Sequence, residues 1–195
     1  MSTCHQVLAF LLLSASVALG QNSPGAIVNP MAGTGTIQDN AYTNTFFGFT
    51  YRFPAKWNVL WGPDHVAAAG CGHDCRLFEA QAPKGRGNVQ IRAYPLPPGM
   101  SARDLLQKIT AAEADQVGLK RAGSPTEFEA GGWKFYRADY KSRLIEGDLL
   151  QTFIIASTKE HALLFTILAD SRPLLLELTK GIGSIEFQNV EQTRK

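Results

Sequence analysis

The stretch of sequence that decides the fold is FGFTYRF, residues 47–53. Its aromatic residues stand at every second position, with Gly48, Thr50 and Arg52 between them. Successive side chains of a strand point to opposite faces of a sheet, so this alternation predicts a strand with four rings on one face. Pro54 lacks an amide hydrogen and is expected to end the strand. Such a face of rings requires an apolar surface to pack against.

The end of the chain provides that surface. Residues 162–168 are mostly apolar, which is typical of a central strand covered on both faces. A helix is expected next, capped by Asp170 or Ser171 and ended by Gly183. Its predicted buried stripe consists of Leu174, Leu175, Leu178 and Ile182. Residues 184–187 then predict a short closing strand.

Turn residues divide the middle of the chain into strands and one helix. Residues 77–82 and 88–94 predict a hairpin, joined by a turn rich in Pro and Gly. A helix over residues 102–117 begins after Ser101, and Asp104 completes a capping box. Further strands are expected at residues 127–130, 133–142, 149–157 and 162–168. Short turns make neighbours antiparallel, so the predicted class is α+β, with a central antiparallel β-sheet sandwiched by helices.

The composition is that of a folding chain, and it limits the classes of function. Of the 195 residues, 45% are hydrophobic and 10% aromatic, and the net charge is +2. This size suits one domain with one sizeable core. The small net charge argues against nucleic acid as a partner, because such partners favour clustered Lys and Arg.

The first residues predict an export signal. An apolar run at residues 7–13 is followed by small residues, with Ala18 and Gly20 placed for signal peptidase. The run is shorter than the about 20 apolar residues that span a bilayer. We therefore expect a signal peptide at residues 1–20, cut before Gln21. The mature chain is then periplasmic or extracellular and does not span the membrane.

The mature chain is expected to be one domain on a tether. Residues 21–40 are rich in Gly, Pro, Asn and small residues, which predicts a flexible linker. The α+β domain is expected over residues 41–188. A charged tail at residues 189–195 is expected to fray.

Residues around the opening strand form a pattern of their own. It consists of Tyr42, Asn44, Phe47-Gly48-Phe49, Tyr51, Phe53-Pro54 and Trp57. This aromatic strand, ending in Phe-Pro and followed by Trp, resembles the opening strand of the PsbP/Mog1-like superfamily. The leucine-rich helix and residues 184–187 resemble the end of that fold, so the resemblance spans about residues 41–188. It implies an α/β/α arrangement and a small binding or assembly module, here in an exported bacterial protein.

The densest cluster of reactive side chains lies in GCGHDC, residues 70–75. Two cysteines remain after signal cleavage, Cys71 and Cys75, and an even pair in an exported protein predicts a disulfide. Residues four apart in a turn can bring their Cα atoms within the range that a disulfide spans. A second hypothesis is a metal site in which His73 joins both thiolates, with His65 as a fourth ligand. Free or redox-active thiols are the third.

Charged and aromatic side chains outside the predicted core form a candidate binding surface. The candidates are Arg76, Arg86, Arg92, Tyr94, Tyr136 and Tyr140. The arginines indicate either a solvated face or a docking patch for an acidic partner or anionic envelope polymer. The tyrosines suit an interface, where tyrosine is enriched, or a position under a helix.

The sequence holds no motif that carries a reaction, and it therefore assigns no catalytic residues. His161 is expected to lie in a turn beside Glu160 and to be solvated. The sequence favours a non-catalytic binding or assembly module of the bacterial cell envelope, with an unidentified protein or envelope component as partner and no cofactor. The alternative is a small metal- or redox-dependent protein that uses Cys71, His73 and Cys75.

Overall fold

The computed structural model describes residues 30–69, 71, 74–144, 147–158, 160–183 and 185–187. The predicted signal peptide, linker residues 21–29 and the tail at 189–195 lie outside the described residues. Within the described part of the chain, no helix is both long enough and apolar enough to cross a membrane.

The described residues form twelve strands and three α-helices. The strands are Gly35–Gln38 (β1), Ala41–Asn44 (β2), Phe49–Arg52 (β3), Asn58–Trp61 (β4), Cys75–Gln81 (β5), Gly87–Pro95 (β6), Lys120–Arg121 (β7), Thr126–Ala130 (β8), Trp133–Leu144 (β9), Gly147–Thr158 (β10), His161–Ala169 (β11) and Glu186–Phe187 (β12). The helices are Pro63–Ala69 (α1), Ala102–Val117 (α2) and Arg172–Gly183 (α3). Short 3-10 turns lie at Pro30–Gly33 and Pro83–Gly85.

The strands form two antiparallel sheets, which confirms the α+β class but not the expectation of one sheet. The small sheet has the order β1-β2-β3-β12. The large sheet has the order β4-β5-β6-β11-β10-β9-β7, and β8 also pairs with β9. The aromatic stretch therefore lies in the small sheet. Its ring-bearing face packs against the large sheet, which removes the rings from water.

The aromatic alternation is confirmed by burial. Phe47, Phe49, Tyr51 and Phe53 are all at most 6% exposed. The rings of Phe49 and Tyr51 lie 6.0 and 6.3 Å from the ring of Phe165 in β11. The buried residues of α3, Leu175, Leu178 and Ile182, belong to the same core. The small sheet and α3 thus share one face of the large sheet.

The opposite face of the large sheet carries α2. Leu105 and Ile109 of α2 pack with Phe153, Ile155 and Leu164 in a second apolar core. The intervening residues of β10 and β11 belong to the first core, so the predicted two-sided burial of β11 is confirmed. The bounds of α2 are as predicted. Ser101 and Asp104 form its capping box, and Gly118 ends it in the left-handed conformation.

The prediction of a flexible linker is wrong for residues 30–40. β1 pairs with β2 along its whole length, so this segment is part of the folded domain. Asn44 is fully buried, and its side-chain amide donates to the carbonyl oxygen of Ala32 and to the hydroxyl of Tyr42 at 2.8 and 2.9 Å. Its Oδ1 accepts from the Phe47 amide at 2.9 Å. One buried side chain thus joins the 3-10 turn at Pro30–Gly33 to the small sheet.

Candidate functional site

Helix α2 covers only part of its face of the large sheet. A helix is about 10 Å wide and strands lie about 4.8 Å apart, so one helix covers two or three strands. The second core places α2 over β9, β10 and β11. Most of the part of this face that β5 and β6 form therefore lies beside the helix, whereas Tyr94 near the end of β6 packs against the second core.

The side chains that β5 and β6 place on this side of the sheet are polar. They are Arg76, Glu79, Gln81, Asn88, Gln90, Arg92 and Tyr94, which we call the polar face. Gln90 lies opposite Thr166, and Thr166 lies opposite Phe153 of the second core. Because opposite residues of an antiparallel pair share a face, this series places the polar face and α2 on the same side of the sheet.

A buried carboxylate organises the polar face. Glu79 is only 2% exposed. One of its oxygens accepts from Arg76 Nη1 at 3.0 Å and from Gln90 Nε2 at 3.2 Å, and the other accepts from Asn88 Nδ2 at 3.0 Å. These bonds offset the cost of removing a charge from water, and they fix the geometry of four side chains.

A second charge pair adjoins the first. Arg92 is 9% exposed, and it donates from Nε to Gln90 Oε1 at 2.7 Å and from Nη1 to Asp74 Oδ2 at 2.5 Å. Gln90 therefore connects the two ion pairs, through its amide to Glu79 and through its carbonyl to Arg92. The result is one continuous network across β5 and β6.

The predicted disulfide is present and holds one end of this network. Cys71 and Cys75 are bonded, with their Cα atoms 4.8 Å apart. Asp74, which accepts from Arg92, is the residue directly before Cys75. The closed ring thus restricts the backbone that positions this carboxylate.

The α2 border of the polar face is also polar. Gln151 Nε2 donates to Glu113 Oε2 of α2 at 3.1 Å. Burial raises the pKa of Glu113, although the bond from Gln151 and the charge of Arg92 oppose the shift. Burial raises the pKa of Tyr94 to about 12, so its hydroxyl stays protonated near neutral pH.

The structure brings together three of the predicted surface residues. Arg76 and Arg92 lie opposite each other on β5 and β6, and Tyr94 follows on the same face. Both arginines are paired with carboxylates, so they do not form the unpaired basic patch that the sequence suggested. The surface they belong to is mixed in charge.

The other three predicted surface residues lie elsewhere. Arg86 is in the turn before β6 and pairs with Asp170 at 2.7 Å. Tyr140 is 4% exposed in the core beneath α2, which is the alternative position for it. Tyr136 is half-buried beside that core, next to the ammonium group of Lys134.

The two cysteines of the hypothetical metal site form a disulfide in this structure. The sulfurs of Cys71 and Cys75 are bonded to each other, and sulfurs in that state are not thiolate ligands. His73 lies outside the described residues. The ring of His65 stacks on Trp61 at 5.1 Å, and its Nδ1 accepts from the amide of Gly62 at 3.3 Å. Zinc binding through this cluster therefore requires prior reduction of the disulfide.

Sequence reasoning missed several members of the network. Glu79, Asn88 and Gln90 are central to it, yet each reads as an ordinary polar residue of a strand. One signal was present, because Asn88, Gln90 and Arg92 alternate with the apolar residues of β6. That alternation predicts one buried face and one face that is wet or interfacial; on the second face Asn88 and Arg92 are buried.

Comparisons with known proteins identify the fold. No protein-family model matches the sequence, and no curated protein matches it. The solution structure of cyanobacterial PsbP (CyanoP) from Synechocystis sp. PCC 6803 is similar with a TM-score of 0.55 and 12% identity. The match covers 87% of this chain and 99% of that chain. The predicted resemblance to the PsbP/Mog1-like fold is thereby confirmed.

Two other solved structures are similar at lower scores. A crystal structure from Bacteroides thetaiotaomicron has a TM-score of 0.48 and 14% identity over 74% of this chain, and this chain spans about half of it, 47%. LpqN of Mycobacterium tuberculosis, described as involved in cell envelope biogenesis, has a TM-score of 0.40 and 10% identity. That match covers 85% of this chain and 87% of LpqN.

Proposed function

We propose that the chain is an exported, non-catalytic binding or assembly module of the bacterial cell envelope, and that it binds its partner through the polar face. The domain acts as a rigid support, and the partner is an envelope component. The proposed domain extends from the 3-10 turn at Pro30–Gly33 to β12, with α2 on one side of the large sheet and α3 with the small sheet on the other.

The observation that carries this proposal is the buried network around Glu79. Its central charged groups, Glu79 and Arg92, are nearly buried beside α2, where apolar side chains would serve stability at least as well. Asp74 and Arg76 keep 41% and 30% of their side chains exposed, and polar groups that are fixed in this way reduce the ordering cost of binding. The network is therefore better explained by recognition than by stability.

The pairing of the charges favours binding over proton transfer. Arg76 pairs with Glu79, and Arg92 pairs with Asp74. A general base requires a group that exchanges its proton with a substrate, and carboxylates held by guanidinium groups are poor candidates. The disulfide agrees with an oxidising location outside the cytoplasm.

A capture experiment with matched variants tests the proposal. The mature chain, residues 21–195, is immobilised and exposed to envelope extract. We expect a component that the wild type retains and that Arg92→Met loses. Arg103→Met is the control, because Arg103 is exposed on α2 and pairs only loosely with Glu127, at 3.7 Å. Equal retention by Arg92→Met and the wild type, or no retained component, would contradict the proposal.

A further inference from the structure

We propose that a cleft at the β9 edge of the large sheet binds a phosphate dianion, either free or as the terminal monoester of a larger molecule. The cleft lies where β7 pairs with the last part of β9. It has a volume of about 250 Å³ and is lined by Gly118, Lys120, Lys141, Ser142, Arg143 and Asp148. Three features lead to the assignment: unpaired cations, a surplus of positive charge, and size.

The cleft is separate from the polar face. In the order of the large sheet, β11 and β10 lie between β6 and β9. Three strand spacings therefore separate β6 from β9, which amounts to about 14 Å. Binding in the cleft is a second function of the chain, and it does not depend on the partner proposed for the polar face.

The cations of the cleft are not paired with carboxylates. Lys120 and Lys141 lie directly opposite each other on β7 and β9, and both are exposed. Arg143, also exposed, is the next residue of β9 on the same face. Among the described residues, none of the three forms an ion pair, whereas Lys134 and Arg137 of the same strand each pair with a carboxylate. Like charges directly opposite each other destabilise a strand pair, so this arrangement costs stability unless an anion joins them.

The surplus charge of the cleft matches that of a phosphate group. Among the described residues, three cations line the cleft against one carboxylate, Asp148, which lies opposite Arg143 without forming an ion pair with it. The end of α2 at Gly118 adds the equivalent of about half a negative charge, which leaves a surplus of about 1.5 positive charges. A phosphate monoester carries about −1.5 to −2 near neutral pH. A carboxylate or a phosphodiester carries a single negative charge and would leave part of the surplus unmatched.

The size and the donors of the cleft also suit a phosphate group. Sites for drug-sized ligands have volumes of roughly 300–1,000 Å³, so a smaller cleft is suited to one small group. The guanidinium group of Arg143 can present two parallel N–H donors to phosphate oxygens, and the lysine ammonium groups act as point charges. A phosphate monoester has three strong acceptor oxygens, so each of the three cations can contact its own oxygen.

Isothermal titration calorimetry of the mature chain tests the proposal in about 20 mM NaCl, where screening is weak. The probes are inorganic phosphate and glucose 1-phosphate, and we expect saturable binding of at least one with a dissociation constant of about 1 mM or below. Tighter binding of glucose 1-phosphate would assign the site to a phosphate carried by a larger molecule, and tighter binding of inorganic phosphate would assign it to the free ion.

Substitutions in the cleft should weaken this binding. Lys141→Met and Arg143→Met each remove one charge-assisted contact, so each should raise the dissociation constant about tenfold. Lys108→Met is the matched control, because Lys108 is exposed on α2 outside the cleft and its substitution removes the same charge. It should bind phosphate like the wild type. Arg92→Met should also bind phosphate like the wild type, so this titration and the capture experiment succeed or fail independently.

Thermal unfolding gives a second readout that does not require the variants to bind. Without phosphate, Lys120→Met should unfold at the same temperature as the wild type or a higher one, because it removes the repulsion from Lys141. About 10 mM phosphate should raise the unfolding midpoint of the wild type by about 3–5 °C, and that of Lys120→Met by about 1 °C.

Four outcomes would overturn the proposal. The first is binding of neither probe, and the second is equal binding by the wild type and both cleft variants. The third is a loss in Lys108→Met as large as that in the cleft variants, which would show a general effect of charge. The fourth is binding of phosphatidylglycerol vesicles, whose phosphates are diesters, in place of both probes.

Discussion

The buried hydroxyl of Tyr51 allows a sharp test of the packing between the two sheets. Tyr51 is fully buried, and among the described residues no donor or acceptor bonds its hydroxyl oxygen. Burial accordingly raises its pKa above the ordinary tyrosine range. A buried hydroxyl without a partner costs about 1–3 kcal/mol relative to water. Tyr51→Phe keeps the ring against Phe78 and Phe165 and removes this cost.

We therefore expect Tyr51→Phe to stabilise the fold by about 0.5–2 kcal/mol, somewhat less than the full cost because a small void replaces the oxygen. The midpoint of thermal unfolding should rise by about 2–4 °C per kcal/mol for a domain of this size. Tyr42→Phe is the matched control, because the hydroxyl of Tyr42 accepts from Asn44 at 2.9 Å. Its loss should destabilise the fold by about 1 kcal/mol.

Urea unfolding followed by circular dichroism measures both variants against the wild type. Opposite signs for the two substitutions would support the packing described here. If Tyr51→Phe destabilised the fold by 1 kcal/mol or more, roughly the value of a net hydrogen bond, the hydroxyl would have a partner and the reasoning would be refuted.

Three further predictions concern other parts of the fold. Gly181→Ala should destabilise the fold by about 1–3 kcal/mol in urea unfolding, because the new Cβ would lie 3.1 Å from a carbonyl oxygen of β3. Gly183→Ala is the control and should change stability little, because a Cβ at Gly183 would meet no atom within 4 Å. Thiol titration of the mature chain should detect free thiols only after reduction, and Cys71→Ala/Cys75→Ala should cost less than about 3 kcal/mol because the loop is short. Burial lowers the pKa of His161 in the folded state, so the unfolded state takes up a proton first as the pH falls below about 6.5. The free energy of unfolding of the wild type relative to that of His161→Gln should therefore decrease below this pH. A difference that stays constant between about pH 7.5 and 5 would contradict this prediction.

The sequence predicted those elements whose signal is local and repeated. The alternation of rings at residues 47–53 correctly predicted a buried face, and the capping box of Ser101 and Asp104 correctly predicted where α2 begins. Three of the four residues predicted for the buried stripe of α3, Leu175, Leu178 and Ile182, are buried, whereas Leu174 is half-buried. Each of these patterns depends on residues only a few positions apart, so no knowledge of tertiary contacts is needed.

Features that depend on distant contacts were missed. β1, β4 and α1 have 4, 4 and 7 residues, which is too short for a clear period. The division into two sheets follows from which faces pack together, and alternation within one strand does not contain that information. His161 illustrates the same limit. It was predicted to lie in a turn and to be solvated, but it is the first residue of β11 and is 8% exposed, with the rings of Phe46 and Phe47 packed against it.

The polar face required the register of the large sheet. One ion pair lies within β5, between Arg76 and Glu79, and the other joins the disulfide ring to β6, between Asp74 and Arg92. Hydrogen bonds from Asn88 and Gln90 to Glu79 connect β5 to β6, across 9 and 11 positions of sequence. A bulge between Arg76 and Phe78 also changes which residues of β5 share a face. Spacing along the chain could therefore not show that Arg76, Glu79 and Gln90 belong to one network.

Photo-crosslinking in the bacterial envelope tests the central claim, that the chain binds its partner through the polar face. A benzophenone side chain replaces Thr166, which is half-buried opposite Gln90, or Glu129, which is exposed on β8 away from the polar face. We predict a crosslinked species from position 166 that is lost when Arg92→Met is added, and none from position 129. Crosslinking from position 129 alone, or from position 166 without any effect of Arg92→Met, would contradict the claim.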